Sequence, residues 1–451
     1  MKRIISLISI LLVIAFCEAG FASAQSLTLI RDAETEHIIR QLAEPVFAAA
    51  GLDAASVKIH LVQDSALNAF VAGGQRIFIY TGLILATKDP GQMAGIIAHE
   101  TGHIAGGHLA RAQEALRDAT AQSIIAIIIG AAGIAAGGRN AGAAVILGGG
   151  EAAGRSFLQY SRIQESAADQ AALRFLERTG QSARGLVEVL DLIGKQEPLR
   201  AHQNPYTQSH PLSRERISAL QANVARSPYA DTAPHRDLVE AYARLRAKLG
   251  GYIEGTATTL RRFPETDQSV AARYARALAY HKIPDIDRAL SEVDSLLTGG
   301  GAGDPYFNEL KGQILYENGR IAESIAPYRR AVSFAPGEPL LLISLAQALN
   351  AMNQRGQFAE AVTHLEEAVR LDPGIPGAWL QLAIAYGRSE RFGLSSLASA
   401  ERAFLIGRLG EAQTHARRAQ DQLAPGTPGS LRAQDIFNAA ARHNTGLDAA
   451  K

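Results

Sequence analysis

Gln92-Met93-Ala94-Gly95-Ile96-Ile97-Ala98-His99-Glu100-Thr101-Gly102-His103-Ile104 is the stretch on which the reading of the chain turns. Its apolar residues predict a helix, and that helix carries His-Glu-x-x-His. Positions i and i+4 of a helix share a face, so His99 and His103 aim two imidazoles at one point. Glu100 is rotated away from both, yet it still reaches a water on a metal held there. A catalytic zinc site needs two neutral nitrogens of this kind, a third protein ligand and an open position for water. The metal acidifies that water, and a neighbouring carboxylate takes the proton. The plainer reading is a helix that carries two histidines by chance, since five-residue patterns do recur.

The third ligand decides the class of site. A His-x-x-Gly-x-x-His continuation is absent: Gly106 fits it, but Leu109 stands where the histidine belongs. His108 comes one residue too early and is expected to point off the ligand face. The alternative is a glutamate from a second helix, and Glu165-Ser166-Ala167-Ala168-Asp169 supplies one. Glu165 and Asp169 are one turn apart, so Glu165 can ligate while Asp169 hydrogen-bonds the far nitrogen of a ligand histidine and fixes its tautomer. Taken alone, such a pair is more often a solvated helix face.

Ala98-His99-Glu100-Thr101-Gly102-His103 together with Tyr160-Ser161-Arg162-Ile163-Gln164-Glu165-Ser166-Ala167-Ala168-Asp169 resembles the M48 family of zinc metallopeptidases. Within that family the chain resembles the periplasmic members that carry tetratricopeptide repeats. The resemblance covers most of the chain, but only the two zinc helices are sharply specific. It implies metal ligands at His99, His103 and Glu165, a general base at Glu100 and one Zn2+ per chain. His210-Pro211, followed by Arg214-Glu215-Arg216-Ile217, also fits the resemblance. There it implies a self-inhibiting switch, with His210 approaching the zinc as a reversible ligand. His210 could equally stabilise an oxyanion, with Arg214 or Arg216 as alternative partners. The structural alternative is that Pro211 or Ser213 simply starts the next helix.

The 451 residues allow two or three domains, and the 45 basic and 44 acidic side chains give no sign of nucleic-acid binding. Lys2-Arg3, an apolar run from Ile4 to Cys17 and Ala22-Ser23-Ala24 read as a secretory signal peptide over residues 1–24. The sole cysteine, Cys17, lies inside it, so the mature chain has no disulfide and its core rests on packing and metal.

Residues 25–225 read as the peptidase domain. A helix over 31–50 is expected to kink or restart at Pro45. Strands follow at Val57–Val62 and, through Gly73-Gly74, at Asn68–Ala72 and Gln75–Tyr80. The run Asn68–Ile79, with Asn68, Phe70, Ile77 and Ile79, is read as a sheet edge that pairs with substrate backbone, the alternative being a plain core hairpin. Residues 124–148 read as a helical hairpin of small and apolar residues, either buried or a flap touching membrane or unfolded substrate.

A linker helix over 226–250 is expected to end at Gly250-Gly251. Helix pairs marked by Gly319 to Pro336, Gly356 to Pro373 and Gly410 to Pro425 then resemble tetratricopeptide repeats over 251–435, with a degenerate earlier unit over 270–298 and a C-terminal tail over 436–451. The third unit reads as stretched by an additional helical piece between Trp379 and Ala403.

The expected fold is therefore mainly α: a zinc-peptidase domain with a small β-sheet, then a helical repeat solenoid. The expected function is a periplasmic metalloendopeptidase, associated with the outer membrane. Its expected partners are unfolded or misassembled envelope proteins and the outer-membrane β-barrel assembly machinery. The competing class is a latent or inactive peptidase acting as chaperone or scaffold.

Overall fold

The computed structural model describes residues 27–111, 114, 120, 161–196 and 210–448. The expected signal peptide and the expected 124–148 hairpin lie outside the described residues. The fold is mainly α, with an N-terminal domain around a small mixed sheet and a solenoid of paired helices behind it.

Strands β1 (Leu29–Ile30), β2 (Lys58–Val62), β3 (Ala69–Ala72) and β4 (Arg76–Tyr80) pair in the order β1-β2-β4-β3. β2 and β4 are parallel, while β3 returns antiparallel on β4 through Gly73 and Gly74, both at positive φ. The side-chain alternation of β4 sends Ile77 and Ile79 into the core. Phe78 goes to the other face and stacks between His60 and Phe70, at 4.9 Å from each ring. This corrects the expectation of one continuous edge. The glycine turn folds the run into a hairpin, so only β3, with Phe70 and with Asn68 just before it, borders the sheet. Ile77 and Ile79 sit on an interior strand paired on both sides.

Helix α1 (Ala33–Ala49) is capped by Asp32, whose side chain accepts the Thr35 N–H at 2.8 Å. It does not restart at Pro45, because Ile38, Ile39, Leu42, Val46 and Phe47 pack into one core and hold the turn. Helices α2 (Thr81–Ala86), α3 (Pro90–Ala105), α4 (residues 161–178), α5 (Arg184–Gln196) and α6 (Arg214–Val224) complete this domain.

The segment expected as a linker helix is instead shared by two cores. Helix α7 (Arg236–Ile253) buries Tyr242, Leu245 and Leu249 in the peptidase-side core, and the Tyr242 hydroxyl lies 2.6 Å from Thr87 Oγ1. Its C-terminal half packs on α9 (Val270–Lys282). The helix does not end at Gly250-Gly251. A Cβ at Gly251 would lie 3.0 Å from Leu278 Cβ, so the glycine there allows a close helix crossing.

After the short α8 (Thr256–Arg262), the repeats form five antiparallel pairs: α9 with α10 (Ile286–Leu296), α11 (Pro305–Glu317) with α12 (Ile321–Phe334), α13 (Pro339–Met352) with α14 (Arg355–Leu371), α15 (Pro376–Arg388) with α16 (Phe392–Leu405), and α17 (Leu409–Gln422) with α18 (Pro428–Asp448). The supposed additional piece between Trp379 and Ala403 is thus a full pair. The supposed tail from 436 belongs to α18, whose Ile436 and Ala440 are buried against α16 and α17.

Peptidase side and repeats meet at a buried ionic cluster. Lys248 Nζ lies 2.5 Å from Asp32 and 3.3 Å from Glu34. Tyr274 donates its hydroxyl to Glu34 at 2.6 Å, and Arg244 pairs with Glu34 and with Asp304. Two further carboxyls near this cluster, Glu309 and Glu338, are pushed up to about 7. Burial is the main cause at both. Asp32 adds repulsion at both sites, while Lys248 opposes the rise at Glu309.

A carboxyl whose pKa rises on folding stabilises the fold while protonated, and that contribution is lost as pH climbs through the folded value. The thermal midpoint of the wild type is therefore expected to lose ground between about pH 5 and about pH 8 relative to a Glu309→Gln/Glu338→Gln variant. Parallel melting profiles for the two proteins would contradict this.

Candidate metal centre

Asp89 caps α3 by accepting the Gly91 N–H at 2.7 Å, and Pro90 occupies the first turn. Met93, Ile96 and Ile97 anchor the helix in the core. Two glycines then set how closely its neighbours approach. A Cβ at Gly95 would lie 2.7 Å from the Leu186 backbone nitrogen, where α5 crosses. A Cβ at Gly102 would lie 2.8 Å from the Ala168 carbonyl oxygen, so α4 meets α3 backbone to backbone. Ala168 stands between Glu165 and Asp169. The contact therefore delivers both carboxylates to the histidines.

His99 Nε2 lies 3.1 Å from His103 Nε2, 3.4 Å from Glu165 Oε2 and 3.4 Å from His210 Nδ1. Glu165 Oε1 lies 3.3 Å from His103 Nε2 and 3.1 Å from His210 Nδ1. Taking one donor atom from each of His99, His103, Glu165 and His210, all four lie within 4.8 Å of one another, and the distances above are close to the roughly 3.3 Å between ligands of a tetrahedral zinc.

Charge supports the same conclusion. Glu100, Glu165 and Asp169 are buried, and Arg216 is the buried guanidinium that faces the latter two. With the imidazoles neutral, as ligation requires, three carboxylates against one guanidinium leave two negative charges, the complement of a divalent cation. Neither Glu100 oxygen accepts a hydrogen bond among the described residues, a costly condition for a buried carboxylate. His210 Nε2 is 3.6 Å from Glu100 Oε1. The donor set fits a divalent metal, with Glu100 beside it.

The second shell is equally well defined. Asp169 Oδ1 lies 3.0 Å from His99 Nδ1. Arg216 forks onto Asp169 through Nε and Nη2 at 2.8 and 2.9 Å, reaches Glu165 Oε2 through Nη1 at 2.8 Å, and donates to the Pro211 carbonyl. Burial works to raise the Glu165 carboxyl, but the surrounding His210, His103 and His99 hold it well below the usual carboxylate range. Burial would lower His99, yet Asp169 and Glu165 outweigh it and raise that imidazole to about 10.

Sequence reasoning weighed Arg214 and Arg216 together, and the structure separates them. Ser213 caps α6 and Arg214 is exposed, whereas Arg216, two residues on and therefore on the opposite side of the helix, enters the site. Arg214 is not an oxyanion partner in this arrangement. His108 is not among the four clustered donors, but it is buried behind one of them, with Nδ1 3.1 Å from His103 Nδ1, and burial pushes it down to about 4. Phe70 lies on the edge strand β3, which packs against α3.

The peptidase family M48 model matches residues 30–224. Residues 30–224 are an M48 peptidase domain. Tetratricopeptide repeat models match residues 301–339 and 344–385 behind it. The beta-barrel assembly-enhancing protease of Yersinia pestis is 24% identical over 72% of this chain and 67% of its own. Its namesake in Escherichia coli (strain K12) is 24% identical over 64% of this chain and 59% of its own. The E. coli metalloprotease YcaL is 29% identical over 37% of this chain and 61% of its own. This chain thus spans between about half and two thirds of the length of such relatives. Among solved structures, the TPR protein YrrB aligns over 51% of this chain and 99% of its own, at 13% identity and a TM-score of 0.29.

In the M48 domain, Arg216 joins α6 to both carboxylates of α4. Arg216→Ala is expected to cost about 3–5 kcal/mol in denaturant unfolding of the metal-free protein, because two buried carboxylates lose their guanidinium. Arg216→Lys should recover only part, since an ammonium cannot fork. A loss below about 1 kcal/mol for Arg216→Ala would show that the pair carries little weight.

Proposed function

We propose that this chain is a zinc-dependent metalloendopeptidase of the cell envelope, with His99, His103 and Glu165 as metal ligands and Glu100 as general base. The observation that carries the reading is the cluster of four donors within 4.8 Å of one another, three of them buried, beside a buried Glu100 with no hydrogen-bond donor among the described residues. Zinc held there supplies Lewis acidity toward a peptide carbonyl and toward water. Glu100 takes the proton of the attacking water on a carboxylate oxygen and returns it to the leaving amine. Asp169 holds the Nδ1 proton of His99, and Arg216 keeps Asp169 and Glu165 ionised and in place.

The edge strand β3 offers backbone groups to an extended substrate, with Phe70 beside the added strand. Backbone pairing of this kind suits unfolded chains of varied sequence. The name of the relatives, beta-barrel assembly-enhancing protease, supports the envelope role. Misfolded or unassembled envelope proteins are the substrates, the periplasm is the compartment, and the repeats dock substrate or the β-barrel assembly machinery. No described helix is long and apolar enough to cross a membrane.

A second reading has one specific observation behind it. His210 is the fourth donor of the tetrahedron and faces Glu100, so it can occupy the position that the attacking water needs. The resting enzyme would then be latent, and the chain would act mainly as a chaperone or scaffold until the His210 loop moves.

The deciding experiment compares wild type, Glu100→Gln and His210→Ala on an unfolded protein substrate, with metal content measured on each. Cleavage by wild type and none by Glu100→Gln at equal metal supports the peptidase. Cleavage by His210→Ala alone supports latency, and cleavage by none of the three at full metal loading removes the enzymatic reading. Once cleavage is detected, Phe70→Ala is expected to shift the distribution of cleavage sites, seen by mass spectrometry of products, without loss of metal. An unchanged product pattern would separate β3 from substrate selection.

A further inference from the structure

We infer that His108 is a positioning residue for the metal site: its Nδ1 accepts the Nδ1 proton of His103 and so fixes His103 in the tautomer whose Nε2 faces the cation. The inference rests on the metallopeptidase reading above. An imidazole that gives its Nε2 lone pair to a metal carries its proton on Nδ1, and that N–H needs an acceptor to hold the ring in place. For His99 the acceptor is Asp169. For His103 the group at this distance is His108 Nδ1, at 3.1 Å, with the two rings nearly perpendicular and their centroids 5.0 Å apart. With His103 donating, His108 keeps its own proton on Nε2. The site therefore orients its two histidines with different acceptors, a carboxylate for one and a neutral imidazole for the other.

The chain around His108 is shaped for this contact. Helix α3 ends at Ala105, and Gly106 caps it. Gly107 has φ of 62°, the left-handed conformation that reverses a chain after a helix and that glycine adopts without strain. His108 then folds back over the last turn of α3 and is buried. A Cβ at Gly106 would lie 2.3 Å from His108 Nε2 and 2.6 Å from Cδ2, so the imidazole occupies the space that any side chain at 106 would need. One glycine supplies the reversal and the other supplies the room. Two features that look in the sequence like a mere weakening of the zinc helix thus account for the return of His108 to a ligand.

The test uses the full chain carrying Glu100→Gln, so that self-cleavage does not interfere. Zinc affinity is measured by competition with a chromophoric chelator, and the chelator-stripped proteins are melted. Adding His108→Ala is expected to weaken zinc binding about 10- to 100-fold, the range usual for loss of an acceptor behind a metal-bound histidine. His108→Asn, whose Oδ1 takes the place of Nδ1, should recover most of the affinity. Gly106→Ala, which displaces the ring, should weaken zinc alone but add little on top of His108→Ala. The stripped His108→Ala protein should melt close to its parent. Zinc affinity for His108→Ala within about twofold of the parent, or an Asn variant no better than Ala, would overturn the inference and leave His108 a packing residue. If His108→Ala does not fold, Gly106→Ala and His108→Asn decide. Weakened binding by the first and parental binding by the second supports the inference, and parental binding by both overturns it. A parent that binds no zinc overturns the metallopeptidase reading itself, an outcome separate from the others.

Discussion

The structure depends on one electrostatic constraint: charge taken out of water must meet its complement at short range. Helix α4 brings two carboxylates, Glu165 and Asp169, into a buried space where Glu100 already stands. An unpaired carboxylate in such a place costs several kcal/mol, far more than the packing of one side chain supplies. Arg216 answers part of that demand with a planar fork that hydrogen-bonds Asp169 through two nitrogens and forms an ion pair with Glu165 through a third. A lysine could not make these contacts at once. With the imidazoles neutral, the two charges that remain are what a divalent cation would offset.

The constraint recurs at the junction between the M48 domain and the repeats. Glu34 is fully buried at the start of α1, and its partners come from α7 and α9 rather than from its own domain. Helix α7 belongs to both cores, with Tyr242 sealed against Thr87 on one side and Lys248 set among Asp32, Glu34 and Glu309 on the other. Buried ions are directional in a way that apolar surface is not. They therefore set the register of the two halves, where an apolar interface of the same area would tolerate sliding.

What could be read in the sequence follows from the range of the signal. His99 and His103 were legible because they repeat at helical spacing, and a period is a local property; Glu165 and Asp169 share that spacing but stood out only because the first pair called for a further partner. Arg216 was visible only as one of two arginines, since choosing between them requires knowing which side of α6 faces α4. The edge strand was half legible: alternation marks strands, but pairing order depends on partners distant in the chain, and Ile77 and Ile79 proved interior. Glycines misled most consistently. Gly250-Gly251 looked like a stop and is a crossing point; Gly106 looked like part of a ligand pattern and, with Gly107, brings back His108. A glycine reports only that a side chain is absent, and whether that absence serves a turn or a close approach is settled by what lies opposite.

Helix α3 shows why the site and the core cannot form separately. Gly95 and Gly102, within the helix, each cost about 1 kcal/mol relative to alanine, so the sequence that carries His99 and His103 is a poor helix by itself. Each glycine stands where another helix comes within backbone contact, α5 at Leu186 and α4 at Ala168. Without those neighbours the glycines only destabilise, and with them they permit a density of contact that alanine would forbid. Helix α3 is therefore ordered by the elements that complete its cluster, and the carboxylates arrive through the same contact that makes the helix stable. A partly folded chain that lacked α4 would have neither Glu165 nor a firmly placed His99 and His103.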